Sequence, residues 1–191
     1  ALRYGENPHQ QGRAEVADDA PIEWGRPLTE NELSWNNYLD LSGAYELVSE
    51  LRGQFRDHAA VVIVKHQNPC GVAVVPKGSG GVLLQALEAA WAGDPVSAFG
   101  GVIVFSEPLG TAEADWLSGK FIEAVAAPGL RDSEALSRLR QKRKGLKAVQ
   151  IARFSGEPQE IEIRIPGGRL LQTADRGPDS EFRSVTKKSF P

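Results

Sequence analysis

Lys65 and His66 are adjacent at the end of the run AAVVIVKHQNPCG, residues 59–71, and are the pair in this chain best suited to chemistry. Histidine has the side chain whose ordinary pKa lies nearest neutrality, which suits a general base. A fixed ammonium beside it can neutralise an oxyanion or steady a protonated intermediate, as in acyl transfer. Asn68, two residues on, can orient either side chain or donate to a carbonyl oxygen. Cys70 enters as a candidate nucleophile, but no second cysteine flanks it, and His66 is the one evident group to support a thiolate. A Lys-His pair alone is unspecific. Its setting carries the argument.

That setting begins with residues 59–64, small or apolar and rich in β-branched Val and Ile. The run is too short for a free-standing helix and predicts a strand buried on both faces. An Asn-Pro turn is expected to follow, leaving Lys65 and His66 where the strand ends. Ligands of open α/β sheets bind at the carboxyl ends of strands. Upstream, NELSWNNYLDLSGAYELVSELRG predicts a helix with Leu39, Ala44, Tyr45, Leu47, Val48 and Leu51 on its apolar stripe, Asn36 or Asn37 as N-cap and Gly53 as stop. Ala14 to Pro27 reads as a short extended or hairpin piece.

Downstream, VAVVPKGSGG reads as a brief apolar segment and a glycine-rich turn. Its GxGG lacks the spacing of a phosphate loop, so a plain turn before a helix over Val82 to Ala92 is expected. Gly93-Asp94-Pro95 ends that helix, because a residue before proline avoids the α region. A VSAF loop and a strand over Val102 to Phe105 come next. The alternation continues with a helix from Thr111 to Ser118, a strand FIEAVAAP, a helix SEALSRLRQKR and a strand KAVQIARF. Such alternation predicts an α/β domain with a parallel or mixed sheet. The segment from Gln159 alternates like a β-hairpin or edge strands, then turns polar.

Composition narrows the function classes. The chain has 191 residues, enough for one good core, and a net charge of -3, which gives no electrostatic reason to expect a nucleic-acid or anionic-membrane partner. The basic run RLRQKRKG (138–145) has no interleaved aromatics and reads as a solvated helix face. No apolar stretch approaches the roughly 20 residues a membrane span needs. One cysteine allows no internal disulfide and favours a reducing compartment; with three scattered histidines it makes a structural zinc site a poor fit. The chain has no methionine, even at position 1, and no signal-like leader, which suggests a fragment or a processed form of a longer protein.

Three further positions stay open on the residues alone. Residues 1–12 form a polar loop that is either a solvated tail or a source of binding groups in Arg3, Tyr4 and His9. Phe99, in a Gly-flanked turn, is either core or the wall of a pocket for a flat ligand. Glu123, in an otherwise apolar strand, either faces solvent or binds something cationic or amide-like, because a buried unpaired carboxylate is costly.

LRYGENPHQ, NNYLD, KHQNPCG and GDPVSAFGG, in this order and spacing, resemble the family of bifunctional AICAR transformylase/IMP cyclohydrolases. The likeness spans Leu2 to about Pro191. It implies formyl transfer from 10-formyltetrahydrofolate to the 5-amino group of 5-aminoimidazole-4-carboxamide ribonucleotide (AICAR), in the cytoplasm, by a homodimer. Residues 1–191 would then be the first of two cytidine-deaminase-like transformylase subdomains, a three-layer α/β/α fold with a mixed sheet. The cyclohydrolase domain and second subdomain would lie outside this chain.

By the same resemblance Lys65, His66 and Asn68 are catalytic. Arg3, Tyr4 and His9 from the opening motif, Phe99 and Gly100 from the DPVSAFG loop, and Glu123 bind substrate. No metal is implied. The PCxxC signature of zinc deaminases is absent, because Cys70 is followed by Gly-Val-Ala. The alternative is a non-catalytic nucleotide-binding or assembly module, inactive without the rest of the protein.

Overall fold

The strand expected at the centre is β1 (His58–Lys65), and its six inner residues are buried. In a computed structural model, which describes residues 1–78, 80–142, 145–154 and 160–174, β1 is the second strand of a five-stranded sheet. The sheet also contains β2 (Asn68–Pro76), β3 (Val102–Phe105), β4 (Ala124–Ala127) and β5 (Lys147–Gln150), in the order β2-β1-β3-β4-β5. β1 runs antiparallel to β2 and β3, while β3, β4 and β5 are parallel, so the sheet is mixed.

Alternation along each strand sorts side chains between two helical layers. Val62, Val64, Val102, Val104, Ala124 and Ala126 pack with Leu41, Ala44, Tyr45 and Val48 of α1 (Trp35–Gln54). Ala59, Val61, Ile63, Ile103, Phe105 and Val125 face the other layer, built from α2 (Val82–Gly93), α4 (Thr111–Ser118) and α5 (Ser133–Lys142), with the one-turn α3 (Pro95–Ala98) between α2 and β3. The result is the expected three-layer α/β/α arrangement. No helix among the described residues is long and apolar enough to cross a membrane.

Several boundaries differ from expectation, each for a local reason. The N-cap of α1 is Ser34, not Asn36 or Asn37. Its hydroxyl accepts the Asn37 N–H at 3.2 Å and the Asn37 side chain accepts the Ser34 N–H at 3.0 Å, closing a capping box. Gly53 does not stop this helix, which runs to Gln54, and Leu39 is 37% exposed while Leu41 takes the core position. VSAF is not a plain loop: Asp94 caps α3 by accepting the N–H groups of Val96 and Ser97. Ala14 to Pro27 makes no hairpin. Its second half runs beside β5, through an Ile22–Ile151 bridge and bonds from Glu23 N to Gln150 O and from Leu28 N to Ala148 O. In the basic run, Arg138 pairs with Glu134 and Arg140 donates to the Leu28 carbonyl; residues 143–144 lie outside the described ones.

The chain divides into two compact units, 1–156 and 157–191. In the second, β6 (Glu160–Ile165) and β7 (Gly168–Thr173) pair antiparallel around Gly167, whose φ of 79° suits a glycine. This is the expected hairpin; the polar segment after residue 174 lies outside the described residues.

Two helix starts share one carboxylate. Asp132 accepts the Thr111 hydroxyl at 2.7 Å and the Thr111 N–H at 3.1 Å at the head of α4, and the Ala135 N–H at 2.7 Å at the head of α5. These bonds, the Thr111 hydroxyl first, hold its carboxyl below the usual range. A depressed folded pKa stabilises the fold above the unfolded value of about 4, and that contribution is lost as pH falls through the folded pKa. Asp132→Asn is therefore expected to lower the urea midpoint near neutrality and to converge with the unsubstituted protein in strong acid. Equal midpoints at both extremes would refute the role.

Candidate active site

Lys65 is the last residue of β1, half-buried, and its Nζ donates to the Phe99 carbonyl at 2.7 Å. The acceptor is neutral, so the bond fixes the ammonium without cancelling its charge. Because β1 is antiparallel to β3, the end of β1 meets the starts of β3 and β4, with Val64 opposite Val102 and Val102 opposite Ala124. The site thus lies at the carboxyl end of β1 and the amino ends of β2, β3 and β4, not at a row of carboxyl ends.

The turn is not Asn-Pro. It is the two residues His66 and Gln67, with φ of 53° and 61°, joining Lys65 to its partner Asn68. Two-residue hairpins favour this left-handed turn but usually fill it with Asn-Gly or similar pairs. A side chain in the left-handed region costs roughly 1–2 kcal/mol. Asp40 of α1 offsets this, accepting the His66 N–H at 3.2 Å and the Gln67 N–H at 2.7 Å. Asn68 adds a bond from its Nδ2 to the His66 carbonyl at 2.8 Å. The backbone is held from two sides while the imidazole stays exposed.

Lys65, His66 and Asn68 line one open concavity of about 460 Å³, together with Pro69, Cys70, Asp94 and Ser97. The Ser97 hydroxyl at 2.6 Å and the backbone N–H groups of Ser97 and Val96 hold the Asp94 carboxyl below the usual range. Burial, then the charge of Asp94, pushes the Cys70 thiol up, against the opposing pull of Lys65. A thiol so placed is a poor nucleophile at neutral pH.

The DPVSAFGG segment closes one side. Gly100 has φ of 76°, and a Cβ there would meet the Phe121 ring at 3.4 Å and Lys65 Nζ at 3.9 Å. Phe99 is 56% exposed and stacks on Phe121 at 4.9 Å between centroids, so it is a surface aromatic rather than core. Backbone bonds from Gly100 N to Phe121 O and from Glu123 N to Gly101 O tie this loop to the next segment. Glu123 sits just before β4, not within it, and accepts the Asn37 amide at 2.9 Å. Its partner is thus amide-like.

The opening segment stands apart. Arg3 and His9 line a concavity of about 650 Å³ formed by residues 1–3 and 8–13, which shares no lining residue with the one at Lys65. The Arg3 guanidinium lies 5.8 Å from the Tyr4 ring centroid. The structure therefore gathers Lys65, His66, Asn68 and the Phe99–Gly100 backbone, and does not bring Arg3, Tyr4 or His9 into that concavity.

Sequence reasoning missed Asp40, Asp94 and Ser97, and read Asn37 only as a cap. A signal existed: Asn37 and Asp40 are polar residues on the buried stripe of α1 that continues through Leu41, Ala44 and Val48. Among the described residues, no group of three or more His, Cys, Asp or Glu side chains is placed to hold a metal ion.

Fold and site define the class as a three-layer α/β domain with a mixed sheet that presents a lysine–histidine pair on a left-handed hairpin. The chain belongs to the AICARFT/IMPCHase bienzyme family, whose model matches residues 1–191. Among its relatives are the bifunctional purine biosynthesis proteins PurH of Rippkaea orientalis (strain PCC 8801 / RF-1), 41% identical, and Aquifex aeolicus (strain VF5), 38% identical. Each alignment covers 98% of this chain and 35% of the relative, so the chain spans about a third of their length. Among solved structures, a dCMP deaminase from the cyanophage S-TIM5 aligns with a TM-score of 0.45 at 15% identity, over 58% of this chain and 96% of that one.

Proposed function

We propose that residues 1–191 supply the lysine–histidine part of an AICAR transformylase site in purine biosynthesis, with 10-formyltetrahydrofolate as formyl donor. The observation that carries this reading is the placement of Lys65 and His66 on one concavity, in a chain of this family. The 5-amino group of AICAR is a weak nucleophile, because its lone pair is drawn into the ring and carboxamide. A base at His66 takes its proton as it attacks the formyl carbon. The carbonyl oxygen becomes an oxyanion, which the charge of Lys65 stabilises. Collapse returns the carbonyl, and the folate nitrogen leaves with a proton. Asn68 holds the His66 turn by its bond to the His66 carbonyl. Arg3, on the opening segment with Tyr4 and His9 and apart from the Lys65 concavity, offers a cation for the nucleotide phosphate, and Phe99, Gly100 and Glu123 add substrate contacts.

A second reading, a nucleotide-binding module that turns over only when joined to the rest of a longer homodimeric protein, draws support from the separate concavity at Arg3 and His9. Calorimetric titration of this chain with AICAR tests whether it forms a nucleotide site, and a formyl-transfer assay on the chain separates the two readings. Binding weakened about tenfold or more by Arg3→Ala is expected, since a charge-assisted contact to phosphate is lost. Absence of heat would mean that this segment alone forms no nucleotide site. Absence of formyl transfer by the complete protein would overturn the main reading.

A further inference from the structure

Among the described residues, His66 and Gln67 are the non-glycine residues with positive φ, and they are consecutive. Glutamine is not a residue that the left-handed region favours, and neither position holds the glycine, asparagine or aspartate usual in a two-residue hairpin. Asp40 lies on α1, 8% exposed, on the stripe that otherwise packs against the sheet. Its two oxygens accept separate, consecutive N–H groups, Oδ2 from His66 and Oδ1 from Gln67. A carboxylate on an apolar stripe is costly, and packing alone would be better served by an apolar residue. Its hydrogen bonds go to the turn that carries the imidazole.

We propose that Asp40 is a positioning residue for the His66 base: it pins the His66–Gln67 turn in its left-handed form so that the imidazole stands beside Lys65 over the concavity. The proposal rests on the functional reading above. A neutral amide cannot replace the carboxylate, because one of its two heteroatoms is a donor and would face a backbone N–H. The turn then relaxes and the imidazole moves, while the remaining substrate contacts stay.

The test is steady-state formyl transfer by the complete protein, with AICAR varied. Asp40→Asn is expected to lower kcat about 10- to 100-fold, as a base misplaced by about 1 Å does, with KM for AICAR changed less than about threefold. Adding Gln67→Gly to that variant is expected to recover kcat about fivefold or more, because glycine enters the left-handed region without penalty. A role confined to packing α1 would not be rescued by a glycine in a turn between two strands. Hydrogen exchange over residues 64–68, read by mass spectrometry, is expected to show faster exchange at the two amides in Asp40→Asn. Unchanged kcat, a loss that glycine does not recover, or unchanged exchange would each overturn the proposal. A complete protein that transfers no formyl group would overturn the functional reading instead, and the exchange measurement would still decide whether Asp40 holds the turn.

Discussion

Replacing His66 by asparagine in the complete protein is expected to lower the rate of formyl transfer about 100- to 10,000-fold, the usual contribution of a positioned general base. The choice of asparagine matters. His66 has φ of 53°, a region asparagine tolerates better than alanine, so the turn survives the substitution. The imidazole is exposed and contributes little burial, so the urea midpoint should stay near that of the unsubstituted protein. His66→Ala should lose the same activity and, in addition, some stability through strain at the turn. Near-normal turnover in the asparagine variant, with AICAR and 10-formyltetrahydrofolate both saturating, would remove His66 from the mechanism.

The largest stability loss is expected at Gly71. It is buried in β2 where α2 crosses closest, and a Cβ built there would lie 1.9 Å from the Ala90 carbonyl oxygen and 2.8 Å from its carbon. Those are backbone atoms of a helix whose Leu83, Ala86 and Leu87 are packed in the core. Neither neighbour has a side-chain rotamer to yield, so strand or helix must move. Gly71→Ala should therefore cost about 3 kcal/mol or more, the upper end for overpacking, against a total stability of about 5–15 kcal/mol for a typical domain. The measurement is the urea midpoint. A midpoint unchanged by alanine would mean that α2 and β2 are not in such contact. Gly71 follows Pro69 and Cys70, which line the Lys65 concavity, so activity should fall with stability.

How much of this was legible in the sequence depended on how far each element relies on its neighbours. The strand over β1 could be read because six apolar residues in a row allow few other fates. The strand from Val102 to Phe105 and the helix from Thr111 to Ser118 fell where their patterns placed them. The turn did not. Asn68-Pro69 has the composition of a turn, whereas His66-Gln67 has none of the glycine or asparagine a left-handed pair prefers. What stabilises it is Asp40, 26 residues earlier; a polar residue on the buried stripe of α1 signals that a partner is needed, but not that the partner is this turn. The Asn37–Glu123 pair spans 86 residues and was equally hidden, although an acidic residue among apolar ones did signal that some partner was needed. Ser34 was overlooked as a cap because Asn36 and Asn37 compete for the same role on composition alone. The separation of Arg3 and His9 from Lys65 had no sequence signal at all.

The Asp40 bonds also bear on the order in which the chain folds. β1 and β2 are joined by two residues and would ordinarily count as a local hairpin, formed early and independently. Here the connecting turn has little preference of its own, and its stabilising carboxylate sits on a helix that precedes both strands. The pair is therefore expected to form as a long-range contact despite its short loop. Its register is expected to settle with the docking of α1, so the step that completes the hydrophobic layer would also set the His66–Gln67 turn.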